Sequence, residues 1–411
     1  MRLDFWFDYS CPYAYAASAL VDDVAERTGA ELRYRPFLLG GVFRAVGTAQ
    51  NLATTLSPQK ALHLLHDQQR ALVRAGLPLQ FPMQHPRRTV HALRATLAAA
   101  RLGDSRRTDF RALVRALFSA YWAEGLVIED ESLVRAIAAR HGFADLDLEA
   151  EREALRIETE AAIEAGVFGA PAFVVHEEGV EPRFFWGHDR LEFVERALTG
   201  TGWPARGSLD RADSAFTVDF WFDYSSPFAF LASTQIRGLA ERTGATVRPR
   251  PFLLGALFKT LGQTDVPLFA FSDAKRRWYL RDLFLWAERW GVPFQFSPHF
   301  PLRTVLALRC TLAHPEPWDF AERVFRAAWV EGRDVGDPQV LMDLGGDPGR
   351  AEAQREALFA NTEEAAAIGV FGTPTFIVRR PGASPQRFWG QDRIAQVEDV
   401  LNGWLAPGSL N

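Results

Sequence analysis

The sequence is poor in the residues that build disulfide frameworks or cysteine-rich metal sites. Its 411 residues include two cysteines, Cys11 and Cys310. These occupy non-equivalent positions of a repeat described below, so neither a disulfide framework nor a cysteine cluster is expected. His63 and His66 stand three residues apart, but no third ligand follows at suitable spacing. We expect them on a plain helix surface and predict no metal site.

The chain also lacks an excess of basic residues and any long apolar run. Its 46 Lys and Arg against 51 Asp and Glu give a formal charge of −5, whereas a nucleic-acid-binding surface needs positive charge to neutralise phosphates. No stretch approaches the roughly 18 apolar residues of a membrane span. The first predicted strand begins at Leu3, which leaves no room for a signal peptide. We therefore expect a cytoplasmic protein that binds neither nucleic acid nor membrane.

One sequence pattern occurs twice. The segment DFWFDYSCPYAYAAS, which begins at Asp4, returns as DFWFDYSSPFAFLAS from Asp219. Identical residues continue at the same spacing: Pro36 with Pro251, Gly40 with Gly255, and Thr89 with Thr304. Such self-similarity indicates a tandem duplication rather than a coincidence of composition. We predict one domain over residues 1–210 and a second over residues 216–411, each of about 200 residues.

The order of predicted elements is the same in both copies. An apolar strand is followed by a proline-initiated helix, a second strand, a long helical block, two further strands and a terminal helix. The predicted first strands are Leu3–Tyr9 and Val218–Tyr224, the next strand in copy one is Glu31–Phe37, and the helical blocks run from Ser57 to Ala165 and from Ser272 to Ile368. This order predicts an α/β fold of two tandem thioredoxin-like domains, each with a helical insertion.

The turn between the first strand and the first helix carries the most suggestive chemistry. The residue before the helix-starting proline is Cys11 in copy one and Ser226 in copy two. Unpaired amides and the helix dipole favour negative charge at this position. A thiol there tends toward the thiolate, so we expect Cys11 to be partly exposed with a lowered pKa. A hydroxyl there can donate a hydrogen bond to a bound thiolate or oxyanion.

A second proline marks the entry to the third strand of each copy. Pro171 lies in GVFGAPAFVV and Pro374 in GVFGTPTFIV. Proline has no backbone N–H and cannot donate a hydrogen bond within a central strand. Each of these prolines is therefore expected at a sheet edge or after a cis peptide bond. The preceding residue, Ala170 or Thr373, can offer its backbone N–H and C=O to an extended peptide.

The last helix of each copy begins with His188-Asp189-Arg190 or Gln391-Asp392-Arg393. An aspartate at a helix start is first of all an N-cap. The same carboxylate, beside a polar side chain, can also hold the α-amino group of a γ-glutamyl peptide, and both interpretations stay open. Trp186 and Trp389 lie just upstream, where they either fill the core or wall an aromatic substrate pocket.

These motifs together resemble a known family. The series FxFDYxSPxxxLA, PFLLGxxF, a downstream Lys, GVFGxPxF and FWGxDR is similar to the 2-hydroxychromene-2-carboxylate isomerases and the kappa-class glutathione transferases, relatives of the periplasmic disulfide oxidoreductase DsbA. The resemblance covers nearly the whole chain, twice. It implies two DsbA-like domains, glutathione as the co-substrate and a small aromatic substrate. Two such copies on one chain also predict a monomer that forms an intramolecular pseudo-dimer.

The family pattern implies roles for particular residues. In the family, the Ser before Pro binds and activates the glutathione thiol. The resemblance implies this role directly for Ser226, and for Cys11 only because Cys11 occupies the same position. The family's prolines equivalent to Pro171 and Pro374 are cis. The glutathione contacts that it implies are Asn51, Lys60, Ala170, His188 and Asp189 in copy one, and Lys275, Thr373, Gln391 and Asp392 in copy two. Copy two has Val266 at the position of the Asn.

The leading hypothesis is a glutathione-dependent isomerase of 2-hydroxychromene-2-carboxylate-like intermediates of aromatic degradation. A thiol oxidoreductase or a kappa-type glutathione transferase acting through Cys11 is the first alternative. Ala14 stands where a dithiol motif has its second cysteine, so no dithiol cycle is available within this site. Cys310 lies in a helical run and is expected to be buried and inert. The second alternative is a non-catalytic pseudo-dimer that binds thiols or peptides.

Overall fold

A computed structural model gives the structure of the protein over residues 1–103, 106–203, 215–262 and 267–408. The chain divides into two units. The first contains Met1–Thr55, Gln68–Ala205 and Ser272–Trp278, and the second contains Leu56–Asp67, Arg206–Phe271 and Tyr279–Asn411. Apart from Ala215, the predicted joint between the copies at residues 210–215 lies outside the described residues.

The first unit contains a four-stranded sheet in the order β2-β1-β3-β4. Its strands are β1 (Arg2–Phe7), β2 (Glu31–Pro36), β3 (Ala172–Glu177) and β4 (Val180–Trp186). β1 pairs with β2 in parallel and with β3 antiparallel, so that Phe5 stands opposite both Tyr34 and Phe173. Because β1 is central and covered on both faces, it is a nearly continuous apolar run.

Helices cover this sheet and fill the long connection from β2 to β3. They are α1 (Pro12–Ser18), α2 (Val21–Thr28), α3 (Leu39–Ala45), α4 (Pro58–Arg74), α5 (Val90–Ala100), α6 (Arg107–Trp122), α7 (Glu131–Arg140), α8 (Arg152–Glu164) and α9 (Leu191–Thr199). None of the helices in the described part of the chain has the length and apolar character that a membrane crossing requires.

The second unit repeats this architecture with the sheet order β6-β5-β7-β8. Its strands are β5 (Thr217–Phe222), β6 (Thr246–Pro251), β7 (Thr375–Arg379) and β8 (Gln386–Trp389). Its helices are α10 (Pro227–Thr243), α11 (Leu254–Thr260), α12 (Asp273–Trp290), α13 (Val305–Ala313), α14 (Pro317–Trp329), α15 (Pro338–Asp343), α16 (Pro348–Ala351), α17 (Arg355–Ala367) and α18 (Ile394–Leu401). The predicted order of elements and the helical insertion are therefore confirmed in both copies.

Two details of the predicted elements are wrong. The first strands end at Phe7 and Phe222 rather than two residues later, because the next residue, an aspartate, bonds the backbone ahead of it and turns the chain. The second strand of copy one ends at Pro36 rather than Phe37, and helix α3 begins at Leu39 within the PFLLGG segment.

Two helices, α4 and α12, are each divided between the two units. The first part of α4, up to Asp67, is grouped with the second unit, and the first part of α12, up to Trp278, with the first. Within the second unit the Arg393 guanidinium donates to both Asp67 carboxylate oxygens at 2.6 and 3.0 Å. Within the first unit the Trp278 ring packs 5.1 Å from that of Trp186. Each unit is thus completed by a short segment of the other repeat, which the repeat bounds alone did not predict.

A buried tryptophan holds the turn after the first strand in each unit. The Trp122 indole N–H donates to the Tyr9 carbonyl at 2.8 Å, and the Trp329 indole N–H donates to the Tyr224 carbonyl at the same distance. Both tryptophans are fully buried. The end of the long helix α6 or α14 is thereby fixed against the strand-to-helix turn.

We predict that Trp329→Phe lowers the free energy of unfolding of the second unit by about 1–3 kcal/mol, because the Tyr224 carbonyl is left without its donor. Urea unfolding followed by circular dichroism measures the change. Trp290→Phe is the matched control, since Trp290 is only half-buried and packs on Trp286 at 4.9 Å. Equal midpoints for the two variants would show that the indole bond does not stabilise this turn.

Candidate functional site

A buried aspartate organises the turn in the first unit. The Asp8 carboxylate accepts hydrogen bonds from the backbone N–H groups of Ser10 and Leu39, both at 2.9 Å, and from the Thr89 hydroxyl at 2.7 Å. Burial raises the pKa of Asp8, against the opposing effect of these hydrogen bonds. The carboxylate therefore ties together the strand end, the start of α3 and the residue before α5.

Asp223 does the same in the second unit. It accepts from the N–H of Ser225 at 3.0 Å and of Leu254 at 2.8 Å, and the Thr304 hydroxyl is a further partner. Burial likewise raises the pKa of Asp223. Sequence reasoning did not single out these aspartates, although the FDYS segment that holds them is identical in both copies.

Cys11 lies at the start of α1, as predicted, but its environment differs from the prediction. The side chain is 7% exposed, and the thiol donates to the Ala170 carbonyl at 3.0 Å. Burial raises the pKa of the thiol to about 12. The expectation of a partly exposed thiol with a lowered pKa is therefore wrong, because loss of hydration outweighs the stabilisation that the helix start gives a thiolate.

Ser226 occupies the same position at the start of α10. Its hydroxyl accepts from the Ala229 N–H at 3.2 Å, which makes it the N-cap of the helix, and donates to the Thr373 carbonyl at 3.3 Å. The side chain is buried. A hydroxyl at this place can redirect its hydrogen to a sulfur or oxygen anion that enters the turn.

A cis-proline faces each turn. The Ala170–Pro171 and Thr373–Pro374 bonds are cis, as expected. The backbone N–H groups of Ala170 and Thr373 make no hydrogen bond to any residue that the structure describes. Each is an available donor beside the carbonyl that receives Cys11 or Ser226. We call the Cys11 turn with its cis-proline the first site, and the Ser226 turn with its cis-proline the second site.

The residues that open the last helix are brought to the first site in part. The His188 ring stacks on that of Tyr13, two residues after Cys11, with centroids 5.0 Å apart. Asp189 forms an ion pair with Arg190 at 2.9 Å. The N-cap interpretation of Asp189 is wrong, because Asp189 lies within a 3-10 turn, His188–Arg190, and the start of α9 has no side-chain cap.

The equivalent residues of the second unit form a similar ion pair. Gln391 is buried, and Asp392 lies 3.3 Å from the Arg393 guanidinium that also binds Asp67. Asp392 likewise precedes α18 within a 3-10 turn and does not cap the helix. Both aspartates are thus held by the arginine that follows them in the sequence.

Lys60 of the first repeat is grouped with the second unit, and Lys275 of the second repeat is grouped with the first. Lys60 lies in the segment grouped with the second unit, where its ammonium nitrogen is 5.6 Å from the Trp389 ring centroid. Burial lowers the pKa of Lys60. Lys275 is grouped with the first unit, as is Asn51, whereas Val266 lies outside the described residues. Lys60 and Asn51, which the sequence pattern had paired, are thus grouped with different units.

Trp186 and Trp389 pack over the glycines that precede the cis-prolines. A methyl group on Gly169 would lie 2.7 Å from the Trp186 indole nitrogen, and one on Gly372 would lie 2.6 Å from that of Trp389. Glycine is required there because the indole lies too close for any side chain. The two tryptophans therefore position the cis-proline loops, while their role as walls of a substrate pocket stays a prediction.

His63 and Cys310 are both buried. His63 packs within the second unit on the Phe371 ring at 5.3 Å, so its predicted place on an open helix surface is wrong. Cys310 is 1% exposed within α13, as expected, and burial raises its pKa to about 11. Among the residues in the described ranges, no group of three or more His, Cys, Asp or Glu is arranged to hold a metal ion.

Comparisons with known proteins identify the family to which the chain belongs. A family model described as the DSBA-like thioredoxin domain matches residues 2–199 and again residues 217–402. The chain belongs to this family. The match occurs twice in tandem, as the repeated sequence and the two four-stranded sheets require.

Similar proteins within this DSBA-like group are named as enzymes. The 2-hydroxychromene-2-carboxylate isomerase of Pseudomonas putida is 30% identical over 204 residues, which are 48% of this chain and 94% of the relative. Glutathione S-transferase kappa 1 of Caenorhabditis elegans is 25% identical over 210 residues, or 45% of this chain and 90% of the relative. The tandem DSBA-like chain is therefore a member of a family of isomerases and glutathione transferases.

Two solved structures are similar to part of the chain. A structure of 2-hydroxychromene-2-carboxylate isomerase matches with 26% identity and a TM-score of 0.38, covering 48% of this chain and 94% of that chain. The cytosolic disulfide reductase DsbM from Pseudomonas aeruginosa, with GSH, matches with 20% identity and a TM-score of 0.33, covering 45% of this chain and 89% of that chain.

We predict that Cys11 reacts slowly with iodoacetamide at neutral pH, because its pKa is raised to about 12 by burial and only the thiolate attacks. The alkylation rate is measured against pH in a Cys310→Ala variant, with the denatured chain as the control. The rate should still be rising above pH 10 in the folded protein. A reaction midpoint near or below the ordinary cysteine value of about 8.5 would contradict the prediction.

Proposed function

We propose that the protein is a glutathione-dependent isomerase that acts on 2-hydroxychromene-2-carboxylate-like aromatic compounds, with the second site as its active centre. One observation carries the proposal. The Ser226 hydroxyl stands at the start of α10, buried, beside a cis-proline loop in which the Thr373 N–H has no partner in the described structure. The names of the relatives support glutathione and the reaction class.

Glutathione fits this site as an extended peptide. Its cysteinyl carbonyl can accept from the Thr373 N–H, as an added strand would. This contact brings the cysteinyl sulfur to the start of α10, where the helix dipole and the Ser226 hydroxyl favour a thiolate. The hydroxyl exchanges its 3.3 Å bond to the Thr373 carbonyl for one to sulfur.

The charged ends of glutathione have partners in the same unit. Asp392 can pair with the α-amino group of the γ-glutamyl residue, and the Gln391 side chain lies next to it in the sequence. Lys60 supplies a cation for one of the two carboxylates. Because burial already disfavours the charged form of Lys60, a bound carboxylate offsets that cost and fixes the ammonium beside Trp389.

The reaction proposed for this site is a reversible addition. The glutathione thiolate forms a C–S bond with the conjugated chromene ring, and the ring C–O bond breaks to leave a phenolate that takes up a proton. A carbon–carbon bond that has become single then rotates. Elimination breaks the C–S bond and restores the double bond in the trans form. The 2-hydroxyl group of the opened ring loses its proton as it becomes a ketone, which balances the proton taken up by the phenolate, and the thiolate is returned. No atom is gained or lost overall, and glutathione is regenerated.

The first site supports a nucleophilic cysteine less well. Its thiol is buried, bonded to the Ala170 carbonyl and raised in pKa to about 12, which disfavours the thiolate that attack or disulfide exchange requires. Ala14 is fully buried where a second cysteine would stand. We therefore assign the catalytic role to Ser226.

A glutathione-dependent reaction also fits the cytoplasm, whose thiol pool is glutathione, and we propose that location.

We predict that Ser226→Ala lowers isomerase turnover about 10²- to 10³-fold, as removal of one oxyanion donor does. The free energy of unfolding should fall by only about 1 kcal/mol, the value of a helix N-cap. The assay follows cis-to-trans isomerisation of a hydroxychromene carboxylate in the presence of glutathione. Ser233→Ala is the matched control, since Ser233 lies in the same helix and bonds the Phe230 carbonyl.

Calorimetric titration with glutathione separates the possible outcomes. Binding without turnover would favour the binding-module alternative, and absence of binding would refute the proposed function. Unchanged turnover in a Cys11→Ala, Ser226→Ala double variant would refute the assignment of the catalytic role to the helix start.

We predict that Lys60→Met weakens glutathione binding at the second site about 10-fold, because a hydrogen bond to a charged group is worth roughly 1.5–3 kcal/mol. Lys275→Met, the equivalent change in the other repeat, should leave that site unaffected, since Lys275 is grouped with the first unit. Both variants are titrated in a Cys11→Ala background. A loss on Lys275→Met but not on Lys60→Met would show that each lysine serves its own repeat.

A further inference from the structure

The loop before α5 differs in chemistry from the equivalent loop before α13. The sequences are PLQFPMQHPRRT at residues 78–89 and PFQFSPHFPLRT at residues 293–304. Both loops are anchored alike, since the Gln80 N–H donates to the Trp122 carbonyl at 2.6 Å and the Gln295 N–H donates to the Trp329 carbonyl at 2.7 Å. Their differences therefore fall at equivalent places in the two units.

In the first unit the loop carries a polar pair. The His85 Nδ1 lies 2.9 Å from the Tyr121 hydroxyl, which also accepts from the Arg87 N–H at 3.0 Å. Tyr121 is fully buried and His85 is half-buried. Burial lowers the pKa of His85 to about 4 and raises that of Tyr121 to about 12, so both groups are neutral near pH 7.

These bonds fix the tautomer of His85. The Arg87 N–H is a donor, so the Tyr121 hydroxyl accepts it and directs its own hydrogen to the other partner, His85 Nδ1. The imidazole proton then resides on Nε2. That nitrogen has no hydrogen-bond partner among the residues the structure describes, and it is not one of the buried, unsatisfied atoms. It is an outward-facing donor.

The pair is attached to the frame of the first site. The His85 ring lies 5.0 Å from the Trp122 ring, and the Trp122 indole donates to the Tyr9 carbonyl, two residues before Cys11. His85 is therefore held by the same tryptophan that fixes the Cys11 turn.

The second unit has apolar side chains at the three positions equivalent to His85, Tyr121 and Arg87. Phe300 stands in place of His85, Ala328 in place of Tyr121 and Leu302 in place of Arg87. The Phe300 ring packs 5.1 Å from Phe296 and 6.2 Å from Phe269, which is 62% exposed. This phenyl group offers no hydrogen bond, and its neighbours form an apolar surface that reaches solvent.

We propose that His85 donates a hydrogen bond from Nε2 to an oxygen of the second substrate at the first site, and that Phe300 replaces this contact with an apolar one at the second site. The proposal rests on the proposed function, because it presupposes glutathione at both turns. The two sites then select different partners for the thiol. At the place that His85 reaches, the first site prefers an aryl ring that carries a carboxylate or carbonyl, whereas at the place that Phe300 reaches, the second site prefers an aryl ring without a polar substituent.

The test uses two stable glutathione conjugates as probes, S-benzylglutathione and S-(4-carboxybenzyl)glutathione, titrated calorimetrically into the full-length protein. We expect the wild-type chain to show two classes of site with opposite preference. His85→Phe should weaken the tighter carboxybenzyl site about 10-fold, because a hydrogen bond to a carboxylate is lost, with little change for the benzyl probe. Tyr121→Phe, which frees the tautomer, should act in the same direction but less strongly.

Rescue and control variants separate donation from packing. His85→Gln keeps an N–H donor and should recover part of the carboxybenzyl affinity. His141→Phe, a half-buried histidine at the end of α7, should change neither probe. The reciprocal change Phe300→His with Ala328→Tyr should raise carboxybenzyl affinity at the second site.

The outcomes of the titrations distinguish this proposal from the proposed function. If glutathione itself binds at both sites but His85→Phe and His85→Gln titrate like wild type with both probes, the role of His85 is refuted and the proposed function stands. If neither glutathione nor its conjugates bind, the proposed function fails and the inference fails with it.

Discussion

A buried carboxylate joins three separate parts of the chain in each unit. Asp8 receives hydrogen bonds from Ser10, Leu39 and Thr89, which belong to the turn, to α3 and to the residue before α5. Burying a carboxylate is costly, and that cost is offset only when its hydrogen-bond donors are in place. The position of the helix start at Cys11 therefore depends on correct packing of the helical insertion, far along the sequence.

The buried helix start in each unit disfavours a reactive thiol but suits a hydroxyl. The start of a helix favours an anion by roughly 0.3–1 kcal/mol, but burial penalises a thiolate by more, so Cys11 stays protonated and bonds the Ala170 carbonyl. Ser226 remains neutral throughout its proposed cycle and needs only to redirect a hydrogen. A buried helix start is thus better suited to a neutral residue that donates a hydrogen bond to a bound anion than to a residue that must itself ionise.

Local patterns predicted most of the fold and part of the site. The repeat, the order of elements, the position of Ser226 and the burial of Cys310 all follow from spacing and residue type within short segments. The cis form of the bonds before Pro171 and Pro374 followed from the family resemblance, since the residues alone also allowed an edge position. The role of Asp8, the raised pKa of Cys11 and the burial of His63 did not. Each depends on residues distant in sequence that surround the group, and burial by such residues leaves no local signature.

The grouping of Lys60 and Asp67 with the second unit escaped prediction for a related reason. Periodicity identifies α4 as one helix, and nothing in a helical pattern says that its two parts pack in different units. A chain divided between the repeats would separate residues 56–67 from Arg393 and Trp389, which they contact.

This segment exchange gives a physical reason for the two copies to stay fused. Residues 56–67 complete the second unit and residues 272–278 complete the first, so neither repeat by itself holds every side chain of its unit. On one chain the exchanged segments are present at high effective concentration without any added contact. Fusion also frees the two repeats to differ, because each residue then occurs once per molecule. Cys11 against Ser226 and His85 against Phe300 are differences that a symmetric dimer of identical chains cannot have.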